Sequence, residues 1–310
     1  MRGLRLLAVT GALLCGVAGL AALQQAAQPA QVNADNPAWT TPVAPFKLVG
    51  PIHYVGTKDL GAYLIATPAG HILIDGAVPS MAGEIEKSIR ALGFKAEEIR
   101  ILLTTQAHFD HVGTLAHFKA LSHASVRIMQ GDEGLIADGG ASDYLLGKRP
   151  EAHFKPVNVD VVLKDGDVLT LGGASLTALR TPGHTPGCAT YTMSVTDGGR
   201  TYAVVFPGST TVNPGTRLVK DPSYPGIADD FRRTFERLAS LKPDIFLAAH
   251  ASFFDLEAKR ARMKTEGVEA FVDRDGYRRL HAEKREAFEA VIKEQSRKRS
   301  RSTPESSGGV

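Results

Sequence analysis

The sequence has 310 residues, of which 43% are apolar and 22% are charged. This composition is typical of a globular protein and excludes a disordered or fibrous chain. The net charge of +3 is too small to indicate a nucleic-acid-binding protein. The two cysteines, Cys15 and Cys188, exclude a disulfide-rich scaffold and a cysteine-rich zinc cluster. A metal site in this chain must therefore consist mainly of histidine and carboxylate, and there are ten histidines.

The N-terminal segment has the features of a secretory signal peptide. Arg2 and Arg5 precede an apolar run from Leu6 to Leu23, and small residues follow that run. We predict a signal peptide over residues 1–27, cleaved between residues 21 and 30, and hence a periplasmic protein without stable membrane insertion. The alternative is an uncleaved anchor, although the run is short for a membrane span of ~20 residues.

Beyond the signal peptide, the sequence divides into three further parts. Residues 28–45 are predicted to form an extended leader, because Pro and Asn are frequent there. Residues 46–273 are predicted to form the folded domain. Residues 274–310 form a predicted basic C-terminal helix and tail. We expect this helix to be solvated; contact with an anionic surface is the alternative.

Within the domain, short apolar segments typical of strands alternate with amphipathic segments typical of helices. Strands are predicted at residues 52–55, 62–66, 71–74, 99–104, 126–129, 159–163, 168–170, 175–179, 189–194, 202–206 and 245–249, and helices at residues 84–93, 115–121 and 229–241. Strands dominate the first part of each half, and helices follow. We therefore predict an α/β fold in which two mixed β-sheets pack together with helices on both sides, an αββα sandwich.

A cluster of potential metal ligands follows the strand predicted at residues 99–104. His108, Asp110 and His111 lie within four residues, and Gln106 precedes them by two positions. A single histidine is usually structural, but two histidines and an aspartate at this spacing favour a metal site. Imidazole and carboxylate are the ligands that zinc uses where thiolate is absent.

Two further histidines occupy comparable positions. His184 lies in a turn rich in Pro and Gly, residues 181–187, directly after a predicted strand. His250 ends the apolar strand predicted at residues 245–249. Each alone is a weak signal, but together with the first cluster they give three loops that begin at strand ends and carry histidine. Loops in such positions are where catalytic residues concentrate.

These motifs resemble those of the metallo-β-lactamase fold superfamily, and most closely those of the third subclass of class B β-lactamases. Members of that subclass are exported dizinc enzymes that hydrolyse β-lactam antibiotics. The resemblance covers residues 46–265, approximately, and includes Asp75, which is similar to a family carboxylate that supports the metal-binding loops. The segments that carry it, besides the histidine motifs, are residues 53–57, 60–65, 72–76, 92–94 and 247–254.

The resemblance implies two zinc ions per chain, held by two groups of residues. The first site would comprise Gln106, His108 and His184, and the second Asp110, His111 and His250. Most family members carry His in place of Gln106, and a carboxamide oxygen is a weaker ligand, so we expect a weaker first site. A minority branch with Gln at this position is still a β-lactamase. The alternative is that Gln106 does not ligate, which would leave one zinc or none.

A later segment distinguishes this chain from other relatives. Thiolesterases, lactonases and processing nucleases of the superfamily usually bridge their metals with an Asp there, and the other β-lactamase subclasses have a Cys ligand. Here the segment 205–215 contains neither, and Ser209 stands at or near that place. The resemblance implies that the Ser209 and Thr211 hydroxyls bind the substrate carboxylate; ordinary loop hydroxyls are the alternative.

The resemblance therefore implies a zinc β-lactamase that acts on penicillins, cephalosporins and carbapenems and confers resistance to them. A metal-bound hydroxide would attack the lactam carbonyl, and Asp110 would bind the second zinc and orient the nucleophile. The expected partner is this small-molecule substrate, with no nucleic acid. Two alternatives remain: an exported hydrolase of the same fold acting on a lactone, thioester or other amide, and a metal-poor, non-catalytic relative.

Overall fold

The computed structural model describes residues 36–302, so the predicted signal peptide and the last residues of the tail lie outside it. The strands are, in chain order, β1 (Phe46–Val49), β2 (Ile52–Tyr54), β3 (Tyr63–Thr67), β4 (Gly70–Ile74), β5 (Ile99–Leu103), β6 (Ser125–Met129), β7 (Val161–Leu163), β8 (Val168–Leu171), β9 (Ala174–Arg180), β10 (Ala189–Asp197), β11 (Arg200–Phe206) and β12 (Ile245–Phe246). The α-helices are α1 (Pro37–Thr40), α2 (Ala82–Ala91), α3 (Phe109–Val112), α4 (Leu115–Ser122), α5 (Glu133–Asp138), α6 (Ile227–Ser240), α7 (Leu256–Glu266) and α8 (Arg274–Ser302). Within residues 36–302, none of the helices combines the length and apolar composition that a membrane span requires.

The strands form two mixed sheets. The first has seven strands in the order β1-β2-β3-β4-β5-β6-β7, antiparallel up to β4 and parallel from β4 to β7. The second has five strands in the order β12-β11-β10-β9-β8, with a parallel pair only between β11 and β12. The parallel pairs matter for function, because their carboxyl ends meet at one edge of each sheet.

The central strands of the first sheet are largely buried on both faces, which explains why they are mostly apolar. In β4, Ile72 and Ile74 belong to the core between the two sheets, whereas Leu73 points to the opposite face. That opposite face is covered by α2, α4 and α5 through residues such as Ile85 and Phe118. On the far side of the second sheet, α6 and α8 form a third apolar cluster. The order of layers is helix, sheet, sheet and helix, which confirms the predicted αββα sandwich.

Several segments differ from the sequence-based expectations. The leader that we expected to be extended contains the short helix α1, in which the Asn36 side chain accepts a hydrogen bond from the amide of Ala38 at 3.0 Å. Strand β12 is shorter than predicted and pairs with β11 only at Ile245 and Phe246. The chain then leaves the sheet, because the Ala249 carbonyl instead accepts from the amide of Gly61 at 2.8 Å.

The C-terminal helix α8 also differs from expectation. We expected a solvated helix, but Tyr277, His281 and Phe288 on one side of it are buried. The Phe288 ring lies 5.4 Å from that of Phe231 in α6, measured between centroids. The charged residues that dominate its sequence occupy the outer side, so the inner side of α8 is part of the fold.

Candidate metal centre

The candidate ligands lie on loops that leave the strands at one edge of the sandwich. Gln106, His108, Asp110 and His111 follow β5, and the last two lie in the short helix α3. His184 lies between β9 and β10, and His250 follows β12. The sequence separations are large, but the two sheets bring these loops to the same place. The structure therefore assembles all six side chains that the sequence analysis selected.

Asp110, His111 and His250 form one compact group. The Asp110 Oδ2 atom lies 3.2 Å from Nε2 of His111 and 3.6 Å from Nε2 of His250. One ligand atom from each of the three lies within 4.8 Å of the others, which is close enough for one metal ion. Neither ring nitrogen of His111 makes a hydrogen bond, although the side chain is buried between the carboxylates of Asp110 and Asp75. A buried imidazole without hydrogen bonds is costly, and a bound metal would remove that cost.

Gln106, His108 and His184, the residues of the predicted first site, line the same cavity. The Nε2 atom of His184 faces the Nδ1 atom of His108 at 3.1 Å. The Gln106 Oε1 atom is buried and has no hydrogen-bond partner. Two imidazole nitrogens face each other here, and the Gln106 oxygen has no hydrogen-bond donor. The lone pairs of these three atoms therefore outnumber the protein donors that could bind them. The donor set fits a cation at this place as well.

The outward ring nitrogens of these histidines are held by fixed acceptors. The Nδ1 atom of His184 lies 2.7 Å from the carbonyl oxygen of Thr211. The Nδ1 atom of His250 lies 3.0 Å from Oδ2 of Asp59, and the Nε2 atom of His108 lies 3.3 Å from Oδ2 of Asp143. A ring nitrogen that donates to such a partner leaves the other nitrogen free as a metal ligand.

The loops themselves are fixed by two buried carboxylates. Asp132 accepts hydrogen bonds from the amide of Ala107 (3.1 Å), the hydroxyl of Thr185 (2.7 Å) and the amide of Gly187 (2.7 Å). It thereby joins the His108 loop to the His184 loop. Burial raises the pKa of Asp132 to about 6. Such a central residue has no local sequence signature, because its three partners lie on other elements.

Asp75 fixes the start of the loop after β5. It accepts from the amide of Thr105 at 2.8 Å and from the hydroxyls of Thr104 at 3.0 Å and Thr105 at 2.8 Å. Its backbone φ of 58° is one that Asp adopts more easily than most residues. Its Oδ2 atom lies 3.8 Å from Nδ1 of His111. This placement agrees with the supporting role that the resemblance implied.

The turn that carries His184 depends on a glycine. Gly183 has a φ of 139°, which strongly favours glycine, and a Cβ atom there would lie 2.7 Å from the Phe231 ring. The loop consequently packs tightly against α6. Burial, together with the neighbouring His108, lowers the pKa of His184 to about 3. The imidazole of His184 is therefore neutral at pH 7, the form in which histidine binds metals.

Asp110 is the charged centre of the site. Burial alone would raise its pKa, but the imidazoles of His111, His250 and His108 together hold the pKa of Asp110 below its ordinary value. Asp110 is thus an ionised carboxylate at neutral pH. An ionised carboxylate beside imidazole nitrogens is a ligand combination that suits a divalent cation.

A cavity of about 360 Å³ opens above these groups. Its walls contain every predicted site residue except His111, which lies beneath it. The lining residues are Trp39, Gln106, His108, Phe109, Asp110, Leu146, His184, Ser209, Thr211, Asn213, Pro214, His250 and Phe253. The sequence analysis did not select the apolar part of this wall, because it comes from separate loops without a common motif.

The predicted hydroxyl residues lie in the loop after β11. Ser209 and Thr211 both line the cavity, and the Thr211 amide donates to the Ser209 hydroxyl at 3.3 Å. The Thr211 hydroxyl is buried without a hydrogen-bond partner. Cys188 is buried, and burial raises the pKa of its thiol well above the ordinary value.

Comparison with known proteins gives one consistent fold. A sequence profile described as the metallo-beta-lactamase superfamily matches residues 62–250. The FEZ-1 metallo-beta-lactamase of Legionella gormanii is 40% identical with a TM-score of 0.81, covering 83% of this chain and 98% of that chain. The class B3 di-zinc metallo-beta-lactamase LRA-12 from an Alaskan soil metagenome is 35% identical with a TM-score of 0.80, covering 84% and 98%.

Curated relatives found by sequence include other hydrolases. The hydroxyacylglutathione hydrolase of Methylococcus capsulatus is 28% identical over 184 residues, which are 59% of this chain and 59% of that protein. The chain spans about half the length of the curated relatives it matches. The profile, by contrast, covers more than half of this chain, and the B3 structures are covered almost completely. The chain therefore belongs to the metallo-beta-lactamase superfamily of metallo-hydrolases, and its structural neighbours include class B3 enzymes.

Proposed function

We propose that the protein is a zinc β-lactamase that hydrolyses the amide bond of penicillins, cephalosporins and carbapenems. The observation that carries this proposal is the pair of three-residue groups at the floor of one cavity, each with buried ligand atoms that lack protein partners. The similarity to LRA-12, a class B3 di-zinc metallo-beta-lactamase, supports it. The proposed consequence for the cell is resistance to β-lactams.

The residues present fit two zinc ions. Gln106, His108 and His184 would hold one, and Asp110, His111 and His250 the other. Zinc bound there would supply Lewis-acid activation of water and of a substrate carbonyl group. The first group has only neutral ligands and one carboxamide oxygen, so its affinity is expected to be the lower of the two.

Asp110 also has a proposed role in orienting the attacking water. It is the one carboxylate among the cavity-lining residues within the described part of the chain. Because its carboxylate is ionised, it accepts a hydrogen bond from an attacking water and holds that water beneath the substrate carbonyl. The apolar wall, which includes Trp39 and Phe253, limits the access of other water and binds the apolar part of the substrate.

Ser209 and Thr211 are proposed to bind the substrate carboxylate. Both residues line the cavity and lie in the loop after β11. The Thr211 hydroxyl has no partner within the described residues, so it is free to donate once it rotates toward a ligand. A carboxylate at this position would orient the lactam carbonyl over the metal-binding groups.

Thioester hydrolysis is the competing activity, because a hydroxyacylglutathione hydrolase is among the relatives. Two observations favour the β-lactam. Ser209 lines the cavity and, by the resemblance, stands at or near the place where thiolesterases of the superfamily usually have a bridging Asp. This chain is 35–40% identical to the two β-lactamases and 28% identical to the hydroxyacylglutathione hydrolase.

The test uses purified, zinc-loaded protein, a chromogenic cephalosporin and a hydroxyacylglutathione thioester. We expect turnover of the cephalosporin that a chelator abolishes and added zinc restores, and no comparable turnover of the thioester. His111→Ala serves as the control for a contaminating enzyme, since it removes a buried proposed ligand. Thioester turnover alone would replace the proposal with the competing activity. Zinc binding well below one ion per chain would instead support a non-catalytic relative.

The proposed site of action is the periplasm. This rests on the signal-peptide features of residues 1–27, which lie outside the described residues. Expression of the full chain in a Gram-negative host, followed by N-terminal sequencing of the periplasmic protein, would test it. The expected N-terminus lies between residues 21 and 30, and retention of Met1 on a membrane-bound protein would contradict cleavage.

A further inference from the structure

The C-terminal helix α8 is fixed against the sandwich by aromatic packing. Phe288 of α8 is fully buried and lies between two rings of α6. Its ring centroid is 5.4 Å from that of Phe231 and 5.6 Å from that of Phe235. The helix is thus a rigid support, and a polar residue on its inner side can hold a neighbouring segment in place.

Gln295 is such a residue. Its Oε1 atom accepts hydrogen bonds from the amides of Leu218 at 2.7 Å and Val219 at 3.3 Å. Its Nε2 atom donates to the carbonyl oxygen of Thr216 at 2.8 Å. Both ends of one carboxamide are therefore engaged with the backbone of a four-residue stretch. These backbone groups lie outside any strand ladder or helix, so they depend on such a partner.

The stretch held by Gln295 belongs to the loop of residues 207–226, which connects β11 to α6 and contains no regular helix or strand. The Thr216 amide donates to the carbonyl oxygen of Asn213 at 3.1 Å, which closes a turn. Asn213 and Pro214 in that turn line the cavity. Two residues earlier, the Thr211 carbonyl accepts from Nδ1 of His184.

We propose that Gln295 is a positioning residue for the active site, acting from the C-terminal helix through the 207–226 loop. Its carboxamide fixes the peptide of Thr216, and that peptide fixes the turn at Asn213. One cavity wall is thereby held at the distance that substrate binding requires. As far as it concerns substrate, this inference rests on the proposed β-lactamase function; the placement of the loop does not depend on it.

The first measurement is limited tryptic digestion of the folded, zinc-loaded protein. Arg217 and Lys220 are exposed in the loop, next to the residues that Gln295 holds. In Gln295→Met, which keeps the size of the side chain and removes all three hydrogen bonds, we expect cleavage after these residues to be on the order of tenfold faster. Glu289→Gln, at an exposed position of the same helix, is the control and should be cleaved at the original rate.

The second measurement is steady-state hydrolysis of a cephalosporin. A wall that has lost its support weakens substrate binding more than the chemical step, so Gln295→Met should raise KM on the order of tenfold and change kcat little. Gln295→Glu keeps an acceptor for the two amides and loses the donor to Thr216, so it should give an intermediate KM. A general loss of folded protein would instead lower kcat in proportion to the loss and leave KM unchanged.

The outcomes separate the two proposals. Unchanged digestion and unchanged KM in Gln295→Met would overturn the positioning role. Faster digestion with unchanged KM would also overturn it, since Gln295 would then hold the loop but have no effect on substrate binding. If the unsubstituted, zinc-loaded protein hydrolyses no β-lactam, the proposed function fails, and the positioning inference falls with it. The digestion result then still reports whether Gln295 holds the loop.

Discussion

The Nδ1 atom of His250 lies 3.0 Å from Oδ2 of Asp59, although 191 residues separate the two in the sequence. The same Oδ2 atom accepts from the Trp39 indole at 3.1 Å, and Oδ1 accepts from the amide of Ser252 at 3.1 Å. One carboxylate thus orients a proposed zinc ligand, a cavity wall and the backbone beyond the ligand. Burial alone would raise the pKa of Asp59, but the hydrogen bonds from His250 and Ser252 lower it below its ordinary value.

We therefore expect Asp59→Asn to weaken zinc binding at the Asp110–His111–His250 group. A neutral carboxamide is a poorer acceptor and allows the His250 ring to turn, so the affinity should fall 10- to 100-fold, the usual effect of losing such a partner. Competition with a chromophoric chelator measures it. Asp229→Asn, at an exposed position on α6, should leave the affinity unchanged. An unchanged affinity in Asp59→Asn would show that Asp59 does not orient the ligand.

Gln106 offers a direct test of the first site. Gln106→His replaces a weak oxygen donor with an imidazole, and we expect the affinity for the more weakly bound zinc to rise roughly tenfold or more. Gln106→Leu removes the donor and should lower that affinity. If both variants bind zinc as the unsubstituted chain does, Gln106 is not a ligand. Isothermal titration with zinc, read as two binding steps, distinguishes these results.

The sequence analysis found the candidate ligands because each stands beside a recognisable strand end. His108, His184 and His250 all follow apolar segments, and a histidine there is conspicuous. The carboxylates that orient them were not found, because their partners are distant. Asp143 lies 35 residues from His108, and Asp59 lies 191 residues from His250. Only the folded chain shows that these residues meet.

The fold, like the metal centre, could be predicted from the sequence only in part. Burial on both faces of β4 and β5 produces mostly apolar segments that are readily seen in the sequence. We expected helix α8 to be solvated, because charged residues dominate its sequence. Only a few of its residues are buried in the structure. Its role depends on Phe288 and on Gln295, and neither residue is unusual in a helix of this composition. Packing partners, which the sequence does not reveal, make them important.

Asp132 is expected to be one of the residues on which stability most depends. It is fully buried, and three donors from two loops converge on its carboxylate. Asp132→Asn offers a single acceptor oxygen and places two N–H donors among the existing ones. We expect a loss of about 2–4 kcal/mol in the free energy of unfolding, since hydrogen bonds to a charged acceptor contribute ~1.5–3 kcal/mol each.

Denaturant unfolding of the metal-free protein measures the effect of Asp132→Asn without the contribution of zinc binding. The exposed Asp229→Asn variant should remain within about 0.5 kcal/mol of the unsubstituted chain. A loss below about 1 kcal/mol in Asp132→Asn would mean that the loops of His108 and His184 are held together by other contacts.

His281 gives the stability of the protein a dependence on acidity. It lies on the inner side of α8, 6% exposed, and neither ring nitrogen has a hydrogen-bond partner. The Tyr277 ring lies 4.5 Å away between centroids. Burial, with a smaller effect of Lys284, lowers the pKa of His281 from 6.5 to about 4. Between pH 6.5 and 4 the unfolded chain therefore binds a proton that the folded chain does not, and stability falls as the pH falls through this range.

His281→Leu removes the two unpaired ring nitrogens and, with them, the proton binding by the unfolded chain. We expect the variant to be more stable than the unsubstituted chain at pH 7 and its advantage to grow, by up to about 3 kcal/mol, as the pH falls from 6.5 to 4. Denaturant unfolding of the metal-free proteins at each pH gives the difference. His123→Asn is the control: His123 is exposed with a φ of 56°, which Asn also adopts. A constant difference across the pH range would contradict the lowered pKa of His281, because the change in protonation alone makes the difference depend on pH.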